Sequence, residues 1–236
     1  TVLCLVRAGA SMSKRNADCG KTLIWATSAG KIEAIELLLN AGANVDYCNK
    51  SYWTPLMYAI RAGHIEIVKI LLDHGANLED FDEYGWSPLI FAAWYNQPQI
   101  LELLITHGAN LEHTEQHRRS ALLIAAERGN LEPAKILLTY NANLNLRDDE
   151  NNSALHLAET NSHKNLAELL RNPTKFITQV KQQQATLTND HSLLSAVVSG
   201  TAKQVKNMIQ HHAKDLEKTN RFGQSALSLA AIHGKS

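Results

Sequence analysis

The sequence predicts an all-α fold, a solenoid of stacked helix–turn–helix units with polar, hairpin-like loops between them. Three observations carry that expectation. Leu23, Leu56, Leu89, Leu122 and Leu155 stand 33 residues apart. A second ladder keeps the same step at Gly9-Ala10, Gly42-Ala43, Gly75-Ala76, Gly108-Ala109 and Asn141-Ala142, and Asn44, Asn77, Asn110 and Asn143 follow in register. Within one unit, Ile65, Ile67, Val68, Ile70, Leu71 and Leu72 have helical spacing. Chance does not hold several residue types in step over five units, and a fixed period of this length marks a repeat architecture.

Each element of the unit has a local cause. Thr54-Pro55-Leu56 and Ser87-Pro88-Leu89 open a first helix, with the hydroxyl as N-cap and proline at the first helical position. Seven residues after each ladder leucine comes Gly30, Gly63, Asn96, Gly129 or Ser162, where the first helix ends. Glycine there takes a left-handed conformation at little cost. A second helix follows, and His74-Gly75-Ala76-Asn77 closes it and leads into a polar extended loop. No unit buries its apolar face alone, so neighbours must stack.

The ladder slips once. Leu155 to Leu193 is 38 residues, whereas Leu193 to Leu227 is 34. The expected organisation is a repeat block over 1–171, made of a partial N-terminal repeat and five 33-residue repeats. An irregular or helical bridge follows over 172–188, and two further degenerate repeats occupy 189–236. Residues 1–8 read as the tail of a second helix whose repeat begins upstream, and Ser236 stops where another second helix is due. A longer parent protein is the expectation from both ends.

Thr54-Pro55-Leu56, Gly63-His64, Ile67-Val68, Leu71-Leu72 and Gly75-Ala76-Asn77 together resemble the ankyrin repeat family. The resemblance covers residues 16–171 and is to the module, not to one protein. It implies a stack of helical hairpins that binds partners through loop tips and the C-terminal ends of first helices, the places that line the family's concave surface. It also places Asn145, in Asn143-Leu144-Asn145, at the loop asparagine that is hydroxylated in many ankyrin repeats; Asp46, Glu79 and Glu112 hold the equivalent places in earlier units.

Composition narrows the partner. Among 236 residues, 23 Lys and Arg balance 23 Asp and Glu, so the basic excess that phosphate binding needs is lacking and nucleic acid is not the expected partner. Hydrophobic residues at 44% and charged residues at 19% suit a folded chain. No apolar run is long enough for membrane insertion. Cys4, Cys19 and Cys48 form no CxxC pair, which fits a reducing, cytoplasmic setting.

Catalytic signatures are weak. Gly20-Lys21-Thr22 and Gly234-Lys235-Ser236 lack the upstream glycine of a phosphate loop, since Arg15 and Leu229 stand there. His156, Glu159 and His163 are metal-capable, but His156 occupies a place where the ankyrin pattern prefers histidine, so a structural role is expected. His113 and His117 fall in a loop, His211-His212 has no partner at ligand spacing, and no nucleophile elbow is present. Catalytic, cofactor-binding and metal-binding residues are therefore expected to be none, and the chain is expected not to be an enzyme.

Columns that keep their character are read as core, and columns that vary are read as function. Trp25, Tyr58, Phe91, Ile124 and Leu157 are always apolar and are expected to form a packed helix face. Just before each first helix stand Gly20, Trp53, Trp86, Arg119 and Asn152, which share nothing. The middle units fill the variable places with Trp53, Phe81, Tyr84, Trp86, Trp94 and Tyr95, six of the 14 aromatic residues. Trp and Tyr dominate protein interfaces. These six are the expected partner-binding residues, with Arg61, Arg119 and Arg128 in a polar rim; the competing reading tucks single rings under neighbouring loops and leaves the charges as a solvated face. The expected function is a non-catalytic module that binds a partner protein on its concave face through a central aromatic patch. The alternative is the substrate-targeting arm of a larger enzyme or secreted bacterial effector working in a host cytosol. The Asn-, Gln- and Lys-rich texture hints at a bacterial source.

Overall fold

A computed structural model describes residues 16–179 and residue 182. The chain divides into two units, Thr1–Pro173 and Thr174–Ser236. In the second, residues 174–179 are helical. The expectations for residues 1–15, for the rest of the bridge to 188, and for the repeats over 189–236, with His211-His212 and Gly234-Lys235-Ser236, fall outside the described residues.

The described part of the first unit is five helical hairpins in series. Their first helices are α1 (Asn16–Ser28), α3 (Pro55–Ala62), α5 (Pro88–Trp94), α7 (Ala121–Arg128) and α9 (Ala154–Thr160). Their second helices are α2 (Ile32–Asn40), α4 (Ile65–Asp73), α6 (Pro98–Thr106), α8 (Leu131–Thr139) and α10 (Lys164–Arg171). Each first helix packs on the first helix of the next hairpin, and each hairpin packs on itself. The ladder leucines Leu23, Leu56, Leu89 and Leu122 lie at the centre of one continuous core, each no more than 2% exposed.

The starts of the first helices follow their sequence. The hydroxyls of Thr54, Ser87, Ser120 and Ser153 accept from the backbone N–H groups of Met57, Ile90, Leu123 and His156 at 3.2–3.5 Å. A cap of this kind is worth about 1 kcal/mol. Pro55 and Pro88 hold the first helical position, where a missing N–H costs nothing. Gly63 ends α3 with φ 71° and Gly129 ends α7 with φ 74°.

The exposed ends of the first helices are capped from the next unit. Asn130 donates through Nδ2 to the carbonyls of Ala93 (2.7 Å) and Trp94 (3.2 Å), and the His163 ring meets the Glu127 carbonyl at 3.0 Å. His64 and Gln97 hold the same column and lie against Gly30 and Gly63. Asn130 and His163 thus satisfy carbonyls that a helix end leaves open.

A second cross-unit ladder runs through the loops. The carboxylates of Asp46, Glu79 and Glu112 accept the backbone N–H of Asn77, Asn110 and Asn143 at 2.9–3.0 Å. Each of those asparagines accepts in turn from the residue two ahead, Glu79, Glu112 or Asn145. The varying loop charge at this column is therefore a stacking bond. Asn145 is exposed and ends the run of carboxylates.

One apolar column departs from expectation. Phe91 and Ile124 are buried and Tyr58 and Leu157 half-buried, but Trp25 is 66% exposed. Units with Trp53 or Trp86 set a ring beside the helix, whereas the first unit has Gly20 there, and the Tyr47 ring fills the space that a side chain at Gly20 would need.

Candidate functional site

The variable column is presented by a loop of fixed design. In each of the second to fifth units a five-residue hairpin runs from Asn49 to Trp53, Asp82 to Trp86, Glu115 to Arg119, or Asp148 to Asn152. The first residue donates its N–H to the carbonyl of the fifth at 3.1–3.2 Å. Its carbonyl accepts from the fourth residue, Tyr52, Gly85, Arg118 or Asn151, at 2.8–3.1 Å. Its side chain accepts the N–H of the fifth: Asn49 from Trp53 (3.0 Å), Asp82 from Trp86 (2.9 Å), Glu115 from Arg119 (3.2 Å), Asp148 from Asn152 (2.7 Å). The fourth residue has positive φ in all four loops, at 61°, 83°, 59° and 66°. That is the left-handed residue a three-residue hairpin turn requires.

Asp82, Glu115 and Asp148 are buried, at 4–6% exposure. Acidic side chains are almost never fully buried unless paired, and here backbone N–H groups supply the pairing, joined by the Arg119 guanidinium at Glu115 and the Asn152 amide at Asp148. Adjacent loops join edge to edge, since Glu83, Gln116 and Asp149 donate their N–H groups to the carbonyls of Ser51, Tyr84 and His117. The fifth residue of each loop is thereby held at one place per unit whatever its side chain.

Aromatic side chains at and beside that column form a connected strip. Trp53 meets Tyr58 edge-on at 5.2 Å between ring centres and Phe91 at 4.7 Å. Trp86 meets the same Phe91 at 5.4 Å and Trp94 at 4.9 Å. Tyr95 lies parallel to Phe91 at 6.1 Å. Trp53, Trp86, Trp94 and Tyr95 are half-buried and packed against the core, with Phe91 beneath them at 3% exposure. The edge-on arrangement suits the ring quadrupoles and adds roughly 0.5–1.5 kcal/mol per pair beyond burial.

The three arginines are not a common rim. Arg61 places its guanidinium 4.9 Å from the centres of both the Trp53 and Tyr58 rings, and Arg128 sits 4.2 Å over Trp94. Both are exposed and cover opposite ends of the strip. Arg119 is locked between Glu115 (Nε to Oε1, 2.9 Å) and Glu127 (Nη1 to Oε2, 2.8 Å). Burial alone would lower its pKa, but the hydrogen bonds and charges of the two glutamates hold it above the ordinary arginine value.

Phe81 and Tyr84 stand apart from this strip. Each is 57% exposed, and Phe81 stacks on His113 at 6.0 Å. Among the described residues neither has a ring contact with Trp53, Trp86 or Trp94. The loop-tip charges are solvated. His117 meets Asp149 at 3.0 Å, and that hydrogen bond holds the exposed Asp149 carboxyl below its usual range. Sequence reasoning put Tyr58 and Phe91 in the core column alone; the structure adds them to the strip. The available signal was their spacing, Tyr58 and Phe91 each following a tryptophan of the variable column by five residues. No group of three or more His, Cys, Asp or Glu side chains among the described residues is placed to hold a metal ion. No helix among them is long and apolar enough to cross a membrane.

Residues 23–115 match the family model described as ankyrin repeats (3 copies), and residues 104–158 match ankyrin repeats (many copies). No curated protein matches the chain at a significant level.

Proposed function

Because this chain belongs to the ankyrin repeat family, whose repeats are typically non-catalytic and generally serve as protein–protein interaction modules, we propose that it holds a protein partner on its concave face through the central aromatic strip. One observation supports the reading above all. Trp53 and Trp86, which stacking does not require at that column, converge on the same Phe91 and make one half-exposed surface across two units. Large half-buried rings with a polar edge are what binding hot spots are made of. Phe81 and Tyr84 extend the contact at the loop tips, and Arg61 and Arg128 flank it. Arg119 serves as a fixed part of the neighbouring loop. The working compartment is the reducing cytosol, which suits the buried Cys19 and the exposed Cys48, neither of which is in a disulfide.

The test is a selection from a displayed library of random peptides panned on the whole chain. Peptides that bind the wild type should fail to bind folded Trp86→Ala. Selected peptides that bind Trp53→Ala, Trp86→Ala and Trp94→Ala as well as the wild type would place the binding surface elsewhere.

A further inference from the structure

Resting on the strip as the binding surface, we infer that its ligand is an extended acidic peptide segment, with one carboxylate at Arg61 and a second at Arg128. Four arginines near the first helices or the adjoining chain, Arg61, Arg119, Arg128 and Arg171, divide into two kinds. Arg119 and Arg171 are held by carboxylates of this chain, Glu115 and Glu127 in one case and Glu159 at 2.7 Å in the other. Arg61 and Arg128 have no carboxylate within ion-pair distance among the described residues, yet the Arg61 guanidinium lies 4.9 Å from the Trp53 and Tyr58 ring centres and that of Arg128 4.2 Å from the Trp94 ring centre. A guanidinium drawn to a ring face by the cation–π attraction keeps its N–H donors for another partner. That fork matches a carboxylate bidentately.

The spacing sets the ligand's form. Arg61 ends α3 and Arg128 ends α7, two units apart. Packed helices lie 8–10 Å apart, so the two guanidinium groups are separated by about 16–20 Å. An extended chain rises about 3.3 Å per residue, so the two acidic residues stand about five or six positions apart. The residues between them lie along the half-buried Trp53, Trp86 and Trp94, where apolar side chains are favoured.

A single-stranded nucleic acid fits less well. It needs free ring faces for base stacking. Here the ring pairs Trp53–Phe91 and Trp86–Trp94 stand edge-on at 62° and 76°, and guanidinium groups already lie over Trp53 and Trp94. The chain also has no net positive charge.

The experiment takes random 16-residue peptides selected on the whole chain and measures binding of the synthetic winners by fluorescence anisotropy. The winners should carry paired Asp or Glu at about five- or six-residue spacing. Arg61→Gln or Arg128→Gln should each weaken binding about 10-fold, with unchanged circular dichroism, and Arg61→Lys should restore only part because an ammonium lacks the fork. Raising salt from about 0.05 to about 0.5 M should weaken wild-type binding more than that of the doubly substituted chain. Winners without acidic pairs, or with equal affinity for the arginine variants, overturn the inference. If those winners still lose affinity for Trp86→Ala, the strip remains the binding surface for a ligand of another kind. Winners indifferent to Trp86→Ala, or a library that yields none, overturn both. Binding of oligothymidylate with the same dependence on Trp86, Arg61 and Arg128 also overturns the acidic-peptide inference.

Discussion

The same loop column holds Trp53 and Trp86 in the middle units and Arg119 and Asn152 in the later ones. Backbone geometry at the four positions is nearly the same, because a buried polar side chain, Asn49, Asp82, Glu115 or Asp148, fixes each loop from inside. What differs is where the fifth side chain goes. The two indoles reach Phe91 and open a ring surface to solvent. Arg119 turns back to Glu115 and Glu127, and Asn152 donates to the Asp148 carboxylate at 3.0 Å. In the later units the column satisfies its own loop. In the middle units the loop is satisfied without it, so the residue is free for another task. On the proposed reading, fold and specificity are carried by two positions four residues apart in the same loop.

The sharpest way to break this comparison is to remove the floor of the strip. Phe91→Ala deletes a ring at 3% exposure that touches Trp53, Trp86 and Tyr95, and should lower stability by about 3–5 kcal/mol. Urea unfolding would show it. Leu157→Ala, at the same column but half-buried, should cost less. Equal losses would mean that the middle units have no special packing.

Removing the inner acceptor comes next. Asp82→Ala leaves the N–H groups of Tyr84 and Trp86 without their shared carboxylate and should cost about 1–3 kcal/mol. It should also weaken binding by loosening Trp86. Asp148→Ala should cost a similar amount of stability and leave binding unchanged. A binding loss in both would mean that the loops act as one rigid body.

A smaller effect distinguishes the loops by their fourth residue. Gly85 has φ 83°, and a Cβ there would meet the Glu115 backbone at 3.3 Å. Gly85→Ala should destabilise by about 1–2 kcal/mol. Arg118 holds the same place at φ 59° with a side chain, so Arg118→Gly should gain about 0.5–1 kcal/mol. Melting temperatures moving in opposite directions would confirm that the turn, not the side chain, sets this column.

Much of the fold was legible because its causes are local. Thr54-Pro55, Ser87-Pro88, Gly63 and Gly129 act where their chemistry dictates, and Leu23, Leu56, Leu89 and Leu122 are core because each recurs on the face that the next unit covers, whereas Leu155 is only half-buried. The loop interior was not legible. Nothing in the sequence singled out Asp82, Glu115 and Asp148, since burial of an acid by backbone N–H groups has no signature in composition. For the same reason Arg119 read as rim, with nothing local to show that Glu115 and Glu127 would both turn toward it. The variable columns pointed to the aromatic residues, but could not separate Trp53, Trp86 and Trp94, which share rings, from Phe81 and Tyr84, which do not. That division depends on which side of a hairpin each residue faces.

The central claim is that Trp53 and Trp86 serve binding beyond their share of packing. Affinity for a selected peptide, measured beside thermal stability in Trp53→Ala and Trp86→Ala, tests it most directly. Both variants should melt lower than the wild type, because the rings are half-buried. Below their melting temperatures, the folded protein should bind at least about 30-fold more weakly, the equivalent of about 2 kcal/mol. Folded variants that bind the peptide as tightly as the wild type would show that the rings belong to the core alone.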